Sequence, residues 1–589
     1  MNEDQVNYII QGWRDKPQGD LQPEDYQQFK DFGSACLTGD KSAQLLTFLQ
    51  DKKNQGLVKT MGCVLIEPLV KEELKKGKSL DHCQAAITHL TGTCSPNELL
   101  HSLVGLTEDI NPVAISDTII ALIPHLQTVL LQLKDRKAAG LGLALSALQK
   151  QLSRLPVPYT QQQEEADEYG VCRCCNALVA FTRPFMEEVK SKNGNCVTNS
   201  EDEEMRTELL KFCMWSLSEP LLEAELNQDR QTSLWLFATK IMVLLLAIQP
   251  PLSELLFFNS VKKWAQTDST QSKESRACLA YLLFVQLICI DSFPAVFSPV
   301  FVLQCNMENI NQLLSSKKES HLLKGLALSA KSLENVQDNS LPVSLLELRS
   351  FSSMPQNLRQ VLTDCPIKHL RESGLKVLQL FINKLDTEAK YKFFRYMLKT
   401  SNHAGVESYI IKNIRDQVEF SMQPGNANKW FLGEDLLSLL GQVLCLPQEA
   451  NSDLLTNMDK IMESLNLLRY LLLRDKELKN KTGVWEELCR IKDEYLKMLR
   501  VCVSISRGYY SAELKALRED QKLKAKEARD AARSARLVKS LAVRHEKVPD
   551  MSSEVQNQVL QSALVTFDLM ESLIFRIEEI TEEKLKVYR

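Results

Sequence analysis

The chain has 589 residues, enough for roughly four domain-sized units or for one extended repeat array. Its 71 Lys and Arg residues nearly balance its 75 Asp and Glu residues, and a formal net charge of -4 gives no overall attraction to nucleic acid or to a membrane surface. With 44% hydrophobic residues, 7% aromatic residues, 21 glycines and 20 prolines, the composition is that of a globular protein and favours helices over a turn-rich β-architecture.

The N-terminus and the cysteine usage indicate a cytosolic protein. The first residues, MNEDQVNYII, lack the basic flank and apolar core of a signal peptide. The 16 cysteines are too sparse for a disulfide scaffold, so we expect reduced thiols that pack as small core residues. The longest uncharged apolar stretches, at 118–133, 277–290 and 292–307, are shorter than the roughly 20 residues of a membrane span. No transmembrane helix is predicted.

Helical periodicity begins in the first half of the chain. Apolar residues in 118–133 repeat at the three- and four-residue spacing of one helix face, with Pro124 inside the pattern. Polar stretches at 160–168 and 191–204 predict a linker and a mobile loop.

A cysteine cluster follows the first polar stretch. Cys172 and Cys175 have the two-residue gap of a zinc or redox pair, and Cys174 lies between them. A structural zinc site needs four ligands, and no second pair follows. We therefore favour three small thiols packed on helix faces, with a metal or thiol-redox site as the alternative.

Residues 366–420 predict three successive helices. Leu370, Leu375, Leu378, Ile382 and Leu385 form one stripe of the first helix, and Asp386 is placed to cap the second. Helices joined by short turns, at roughly 40 to 50 residues per unit, are typical of HEAT and armadillo arrays.

Longer helices are predicted in the C-terminal part, which has no proline from 448 to 548. The predicted buried stripes are Ile461, Leu465, Leu468 and Leu472, then Trp485, Leu488, Ile491, Tyr495, Leu499 and Cys502. A final helix with a capping box at Ser553 would bury Val559, Ala563, Phe567, Met570, Ile574 and Ile577.

A basic segment separates these last helices. Residues 515–547 carry eleven Lys and Arg against five Asp and Glu, with few large apolar residues. We expect an exposed helix or a partly disordered segment, and we favour a solvated face over a binding site for an acidic partner or RNA.

The pattern as a whole predicts an all-α fold, an irregular HEAT- or armadillo-like helical repeat solenoid with long C-terminal helices. Compact helical bundles joined by linkers are the alternative. We divide the chain into an N-terminal helical region, 1–365, and a C-terminal helical region, 366–589, although no local feature marks the division, which lies somewhere between 331 and 366.

Catalytic signatures are missing from the sequence. Phosphate-binding loops, H-E-x-x-H and G-x-S-x-G motifs do not occur, and the eight histidines are scattered. We therefore predict a protein that is not an enzyme, with no catalytic residues, no cofactor and no metal.

Several strings, taken together, resemble the glomulin family. They are LALSALQKQLSRLPVPY (143–159), DEYGVCRCCNALVAFTRPFMEEV (167–189), TSNHAGVESYIIKNI (400–414), NKWFLGEDLLSLLGQVLCLP (428–447) and MESLNLLRYLLLRD (462–475). Their specificity comes from covering nearly the whole length in order, up to the final helix. The basic segment is the one departure, since it is more basic than is usual in the family.

This resemblance implies a non-enzymatic, HEAT-like protein that binds the RING domain of the RING-box subunit of cullin-RING ubiquitin ligases. It would mask the surface that receives the ubiquitin-conjugating enzyme and so inhibit ubiquitin transfer. The resemblance also implies an FK506-binding immunophilin and the hepatocyte growth factor receptor as partners, a role in vascular development, and a cytoplasmic location with the nucleus as a second one. No nucleic acid or membrane partner is expected.

The resemblance assigns RING binding to the C-terminal part, from about residue 428. Aromatic and arginine side chains dominate binding hot spots, so we predict anchors of these types there. They are Trp430, Phe431, Arg469, Tyr470, Arg474 and Trp485. Core packing of the aromatic residues and solvation of the arginines are the competing interpretations.

A second functional hypothesis remains open beside ligase inhibition. The chain would then be a helical scaffold or adaptor that binds an immunophilin, a receptor tyrosine kinase, or an acidic or RNA partner through its surface.

Overall fold

The computed structural model describes residues 9–14, 16, 21–75, 79–108, 110–192, 200–226, 231–248, 251–257, 269–426, 428–446, 452–474, 485–534 and 553–587. Helices account for most of these residues. Within these ranges there is no β-strand, and the one extended pairing is an isolated bridge between Leu341 and Leu385. The all-α class predicted from the sequence is confirmed.

The chain divides into two compact units, Met1–Asn335 and Val336–Arg589. The α-helices of the first unit are α1 (Pro23–Thr38), α2 (Ser42–Gln50), α3 (Gln55–Met61), α4 (Ile66–Glu73), α5 (Leu80–Thr93), α6 (Pro96–Glu108), α7 (Ile115–Gln132), α8 (Lys137–Leu152), α9 (Gln161–Ala166), α10 (Val171–Lys192), α11 (Ser200–Ser218), α12 (Ser233–Ile248), α13 (Leu252–Phe257), α14 (Ser269–Phe284), α15 (Pro299–Leu314) and α16 (Glu319–Glu334).

The second unit contains α17 (Val343–Leu346), α18 (Arg349–Asp364), α19 (Lys368–Lys384), α20 (Thr387–Thr400), α21 (Ala404–Met422), α22 (Glu434–Val443), α23 (Met458–Leu473), α24 (Trp485–Ser534) and α25 (Ser553–Val587). A short 3-10 turn, Lys429–Phe431, precedes α22.

Helices of the first unit stack on near neighbours in the chain. Helix α7 packs against α6, α8 and α10, α11 packs against α8, α12 and α14, and α15 packs against α14 and α16. Because each helix is apolar on more than one side, it buries its surface only when both neighbours are in place. This is the packing of a helical repeat protein, as predicted.

Helix α7 is the one described helix that is long and apolar enough to cross a membrane by length and composition. Its residues Ile119, Leu122, Leu126, Val129 and Leu130 are fully buried against the neighbouring helices. The helix continues through Pro124. Its apolar face is therefore accounted for by packing inside the repeat array.

The predicted linker at 160–168 is wrong, because this stretch contains the short helix α9. Thr160 and Gln163 form a capping box at its start. Glu164 is buried, and its carboxylate accepts a hydrogen bond of 2.5 Å from the backbone N–H of Leu234. The polar composition indicated a linker, but capping and a buried hydrogen bond to α12 hold this segment as a helix.

The predicted mobile loop at 191–204 is only partly within the described residues. Residues 193–199 lie outside them, and helix α11 already begins at Ser200.

The boundary between the units lies after Asn335, and the predicted boundary between 365 and 366 falls inside the second unit. Helices α17 and α18 pack on α20 and α19, respectively. The Lys384 ammonium also donates to Asp338 at 2.6 Å. Residues 336–365 therefore belong to the second unit, because α17 and α18 pack on helices that follow them in the chain.

The three helices predicted in 366–420 are confirmed as α19, α20 and α21. The Asp386 carboxylate accepts a hydrogen bond of 2.8 Å from the backbone N–H of Ala389, which is the predicted cap. Leu370, Leu378 and Ile382 are buried, whereas Leu375, assigned to the same stripe by its spacing, is 37% exposed.

Three carboxylates on helix α4 have pKa values below their ordinary range. The Glu73 carboxylate is bonded by His125 at 3.1 Å and by Gln84 at 3.0 Å. Burial acts to raise the pKa of Glu73, but these bonds outweigh it and hold the pKa below its ordinary value of 4.5. On the same helix, ion pairs with lysines lower the pKa values of Glu67 and Glu72.

We expect acidification from about pH 6 to about pH 3 to destabilise this part of the chain. A depressed pKa in the folded state contributes stability above the unfolded-state value, and this contribution is lost as the pH falls through the folded-state value. Thermal unfolding at several pH values tests this, with Glu73→Gln expected to flatten the dependence. Parallel curves for the variant and the unmodified chain would contradict the assignment.

Candidate partner-binding surface

Helices α24 and α25 form an antiparallel hairpin in the second unit. The rings of Tyr510 and Phe567 meet at 5.5 Å between centroids. Arg507 pairs with Asp568 at 2.5 Å and with Glu571 at 2.9 Å. The predicted inner face of α25 is confirmed for Ala563, Phe567, Met570, Ile574 and Ile577, all buried, whereas Val559 is 47% exposed.

A second apolar face of α24 has no cover within the described part of the chain. It consists of Met498, Val501, Ile505 and Tyr509, which are 36%, 44%, 55% and 61% exposed. Spacings of three and four residues place these side chains on one face of the helix. We call these four residues the outer stripe.

The outer stripe was missed in the sequence because α24 is apolar on two sides. The predicted buried stripe is confirmed for Leu488, Tyr495, Leu499 and Cys502, whereas Ile491 is only half-buried. Once that face is assigned to the core, the remaining apolar positions look like scattered surface residues. Their regular spacing was the available signal.

A groove of about 670 Å³ lies between α22 and α24. Its apolar lining comprises Leu437, Leu444, Leu446, Ile491 and Met498. The groove also contains the carboxylates of Glu434, Glu487 and Glu494 together with Arg490. Since Met498 belongs to both features, the groove and the outer stripe form one continuous surface.

Ion pairing organises the charged side of the groove. Arg490 contacts Glu487 at 2.5 Å and Glu494 at 2.8 Å. The bond from Arg490 lowers the pKa of Glu487, and Glu487 in turn raises the pKa of Arg490. With three carboxylates and one guanidinium, the groove carries a net negative charge.

Tyr495 fixes α24 beneath the groove. Its side chain is 5% exposed, and burial raises the pKa of its hydroxyl well above the ordinary value, against the effect of a bond with Ser464 of α23. A rigid floor of this kind lowers the ordering cost of binding.

Two of the predicted anchors lie on the 3-10 turn before α22. Phe431 is fully buried, with its ring 6.0 Å from those of both Tyr391 and Phe394. It therefore belongs to the core, and its prediction as a surface anchor is corrected because no part of it is accessible. Trp430 is half-buried against Tyr391, and the Lys429 ammonium lies 4.9 Å from its ring centroid.

Arg469 and Tyr470 lie on α23, Arg474 directly follows it, and Trp485 lies at the start of α24. Arg469 is exposed, and Tyr470 is half-buried with the Arg474 guanidinium 5.8 Å from its ring centroid. Trp485 begins α24, but its side chain lies outside the described residues. None of the five anchors whose side chains are described lines the groove, so the structure does not bring these five together there. Apart from Phe431, these anchors stay predictions.

The basic segment 515–547 is helical as far as Ser534, where α24 ends, and residues 535–547 lie outside the described residues. Lys515, Arg518, Lys522 and Lys526 are exposed. The expectation of an exposed helix is confirmed for residues 515–526, whereas the side chains of 527–534 lie outside the described ones.

The clustered thiols of α10 are packed inside the first unit. Cys172 is 4% exposed, and Cys174 and Cys175 are fully buried. Burial raises the pKa values of Cys172 and Cys174 to about 12, and that of Cys175 well above its ordinary value. The thiols are therefore held protonated, which fits the favoured packing role and not a reactive thiolate.

Three comparisons with known proteins bear on the family. A family model described as an uncharacterised protein family, YAP/Alf4/glomulin, matches residues 18–250 and 252–563. Glomulin from Homo sapiens is 42% identical over 600 residues, covering 100% of this chain and 98% of the relative. Glomulin from Mus musculus is 41% identical with the same coverage.

Likenesses to solved structures are weaker. The karyopherin Kap121p bound to the SUMO protease Ulp1p has a TM-score of 0.22 at 11% identity, covering 85% of this chain and 55% of that chain. A circular tandem repeat protein has a TM-score of 0.15 at 11% identity over 100% of both chains. At these scores they carry no argument about the protein. The sequence relationship to the family model and to the two glomulins spans nearly the whole chain and is decisive. The protein belongs to the YAP/Alf4/glomulin family.

Proposed function

We propose that this protein is a non-enzymatic inhibitor of cullin-RING ubiquitin ligases that acts by binding. It covers the surface of the RING-box subunit on which the ubiquitin-conjugating enzyme docks. Membership of the glomulin family supports this proposal, and we propose the cytoplasm as its location. The immunophilin and the hepatocyte growth factor receptor remain predicted partners without an assigned surface.

The observation that carries the proposal is the continuous surface of the outer stripe and the groove. It lies in the C-terminal part to which the family resemblance assigned RING binding. Exposed apolar residues of this size on one helix face are a typical mark of an interaction site. The neighbouring carboxylates give the site a charged rim, which sets the orientation of a partner.

The required interface is modest. A RING domain receives its conjugating enzyme on a small, shallow surface, so a competitor needs about 1,200 to 2,000 Å² of total buried area. A helix fixed by a packed hairpin offers such an area without reorganisation. Inhibition then follows from occupancy alone and requires no catalytic group.

Titration of the protein into a neddylated cullin-RING ubiquitin-transfer assay tests the proposal. We expect chain formation to fall to background at concentrations close to that of the ligase. Excess conjugating enzyme should restore transfer, because the two proteins compete for one surface.

A ligase of the HECT type, assayed with the same conjugating enzyme, serves as the control and should be unaffected. Undiminished chain formation at saturating protein would refute the proposal. Inhibition that excess conjugating enzyme fails to relieve would refute the masking mechanism.

A further inference from the structure

The distal half of α24 carries a row of cations on one face. Lys515, Arg518, Lys522 and Lys526 are all exposed and follow one another at spacings of three, four and four residues. At about 1.5 Å of rise per residue, the row extends over about 16 Å of the helix axis. We call these four residues the basic stripe.

Other cations on the same helix are neutralised within the chain. Arg500 pairs with Glu578, Arg507 pairs with Asp568 and Glu571, and Lys524 pairs with Asp520 at 2.7 Å. No ion pair joins any member of the basic stripe to another described residue. The four cations of the stripe therefore make no ion pair with a described residue, although Glu519 lies four residues from Lys515 and three from Lys522.

Helix α25 has few carboxylates to offer the stripe. The two helices are antiparallel, and Tyr510 of α24 meets Phe567 of α25. Residues 553–566 of α25 therefore run alongside the part of α24 that carries the stripe. These fourteen residues include only one carboxylate, that of Glu554. The acidic residues of α25 that pair with α24 lie further along, at Asp568 and beyond.

Segregated like charges are unfavourable in an isolated helix. Cations three or four residues apart on one face repel one another, whereas alternating signs would stabilise the same helix. A row of carboxylates from outside would relieve this repulsion. We propose that the basic stripe binds an acidic helix of a partner protein, whose carboxylates repeat at the matching spacing.

The stripe suits a helix better than a nucleic acid. Glu519 and Asp520 lie within the stripe's span, and Glu513 lies just before it. An extended polyanion would meet these carboxylates as well as the cations. A partner helix contacts one narrow face and avoids Glu513 and Asp520, which lie on the far side of α24, so that only Glu519 borders the contact. The segment 515–526 also has no aromatic residue on which single-stranded bases could stack.

A direct binding measurement on the full chain tests the proposal and does not depend on ligase inhibition. The probe is a labelled helical peptide of about 20 residues with glutamates at spacings of three, four and four. Its matched control is a permuted peptide of identical composition, with the glutamates spread over all faces. We expect at least about tenfold tighter binding of the patterned peptide, weakened when salt is raised from about 50 to about 200 mM.

The test variant combines Lys515→Ala, Arg518→Ala, Lys522→Ala and Lys526→Ala, which preserve helix propensity. We expect it to lose at least about tenfold in affinity for the patterned peptide. A control variant removes the same charge from exposed lysines of the first unit, through Lys52→Ala, Lys53→Ala, Lys59→Ala and Lys134→Ala. It should bind as the unmodified chain does.

Equal binding of the two peptides, or equal loss in the two variants, would overturn the proposal. So would tighter binding of single-stranded RNA or of phosphatidylserine vesicles that depends on the same four residues. Sedimentation would show whether the chain associates with itself. Self-association that is lost in the stripe variant would also overturn the proposal, because the stripe would then bind a second copy of the chain.

Discussion

Glu407→Ala is expected to lower the free energy of unfolding of the second unit by about 3 to 5 kcal/mol. In the folded chain the Lys460 ammonium lies 2.7 Å from the Glu407 carboxylate, and both residues are buried. The pair joins α21 to α23, so the variant leaves a buried cation without its counter-charge. Hydrogen exchange measured on peptides from these two helices should show the loss of protection directly.

Two controls separate this effect from general sensitivity to charge. Glu372→Ala removes the partner of Lys368 from a pair that is exposed on both sides, and should cost less than about 1 kcal/mol. The double variant Glu407→Leu with Lys460→Met replaces both charges with apolar groups, and should recover much of the lost stability. A loss in Glu407→Ala no larger than that in Glu372→Ala would contradict the assignment.

Ile505→Glu combined with Tyr509→Glu is expected to raise the concentration needed for half-inhibition of a cullin-RING ligase by at least about 100-fold. The variant places two carboxylates on the proposed contact surface, where binding would have to desolvate them. A 100-fold loss corresponds to about 2.7 kcal/mol, which is within the range of a binding hot spot. The measurement is the ubiquitin-transfer assay titrated with each protein.

Glutamates at two exposed apolar positions of the neighbouring helix provide the matched control. Val565 and Leu569 of α25 are 58% and 54% exposed, so Val565→Glu with Leu569→Glu makes an equivalent surface change. This control should inhibit as the unmodified chain does, and both variants should retain the helical content and thermal midpoint. Equal inhibition by the two variants would remove the outer stripe from the proposed interface.

The sequence predicted those features that depend on local pattern. The Asp386 cap, the three helices after residue 366 and the inner face of α25 all follow from spacing and from the chemistry of single positions. The resemblance to the glomulin family likewise depended on the order of strings along the chain, and full-length relatives bear it out. These predictions needed no knowledge of which helices meet.

Features that depend on which helices meet were predicted less well. Phe431 has the type and position of an anchor, but two aromatic neighbours from α20 enclose it. The domain boundary was placed at 365 because nothing local marks Asn335; it is the packing of α17 and α18 on later helices that sets it there. Buried ion pairs such as Glu407 with Lys460 resemble surface charges until their environment is known.

By itself, then, the sequence determined the helical class, the helix faces and the family of this protein. Only the tertiary structure decided which of two apolar faces on α24 remains exposed, and which cations are neutralised. The physical reason is that periodicity reports how apolar a face is, whereas exposure depends on whether another helix covers it. Met498, Val501, Ile505 and Tyr509 have the spacing of a buried stripe, yet they are 36 to 61% exposed among the described residues.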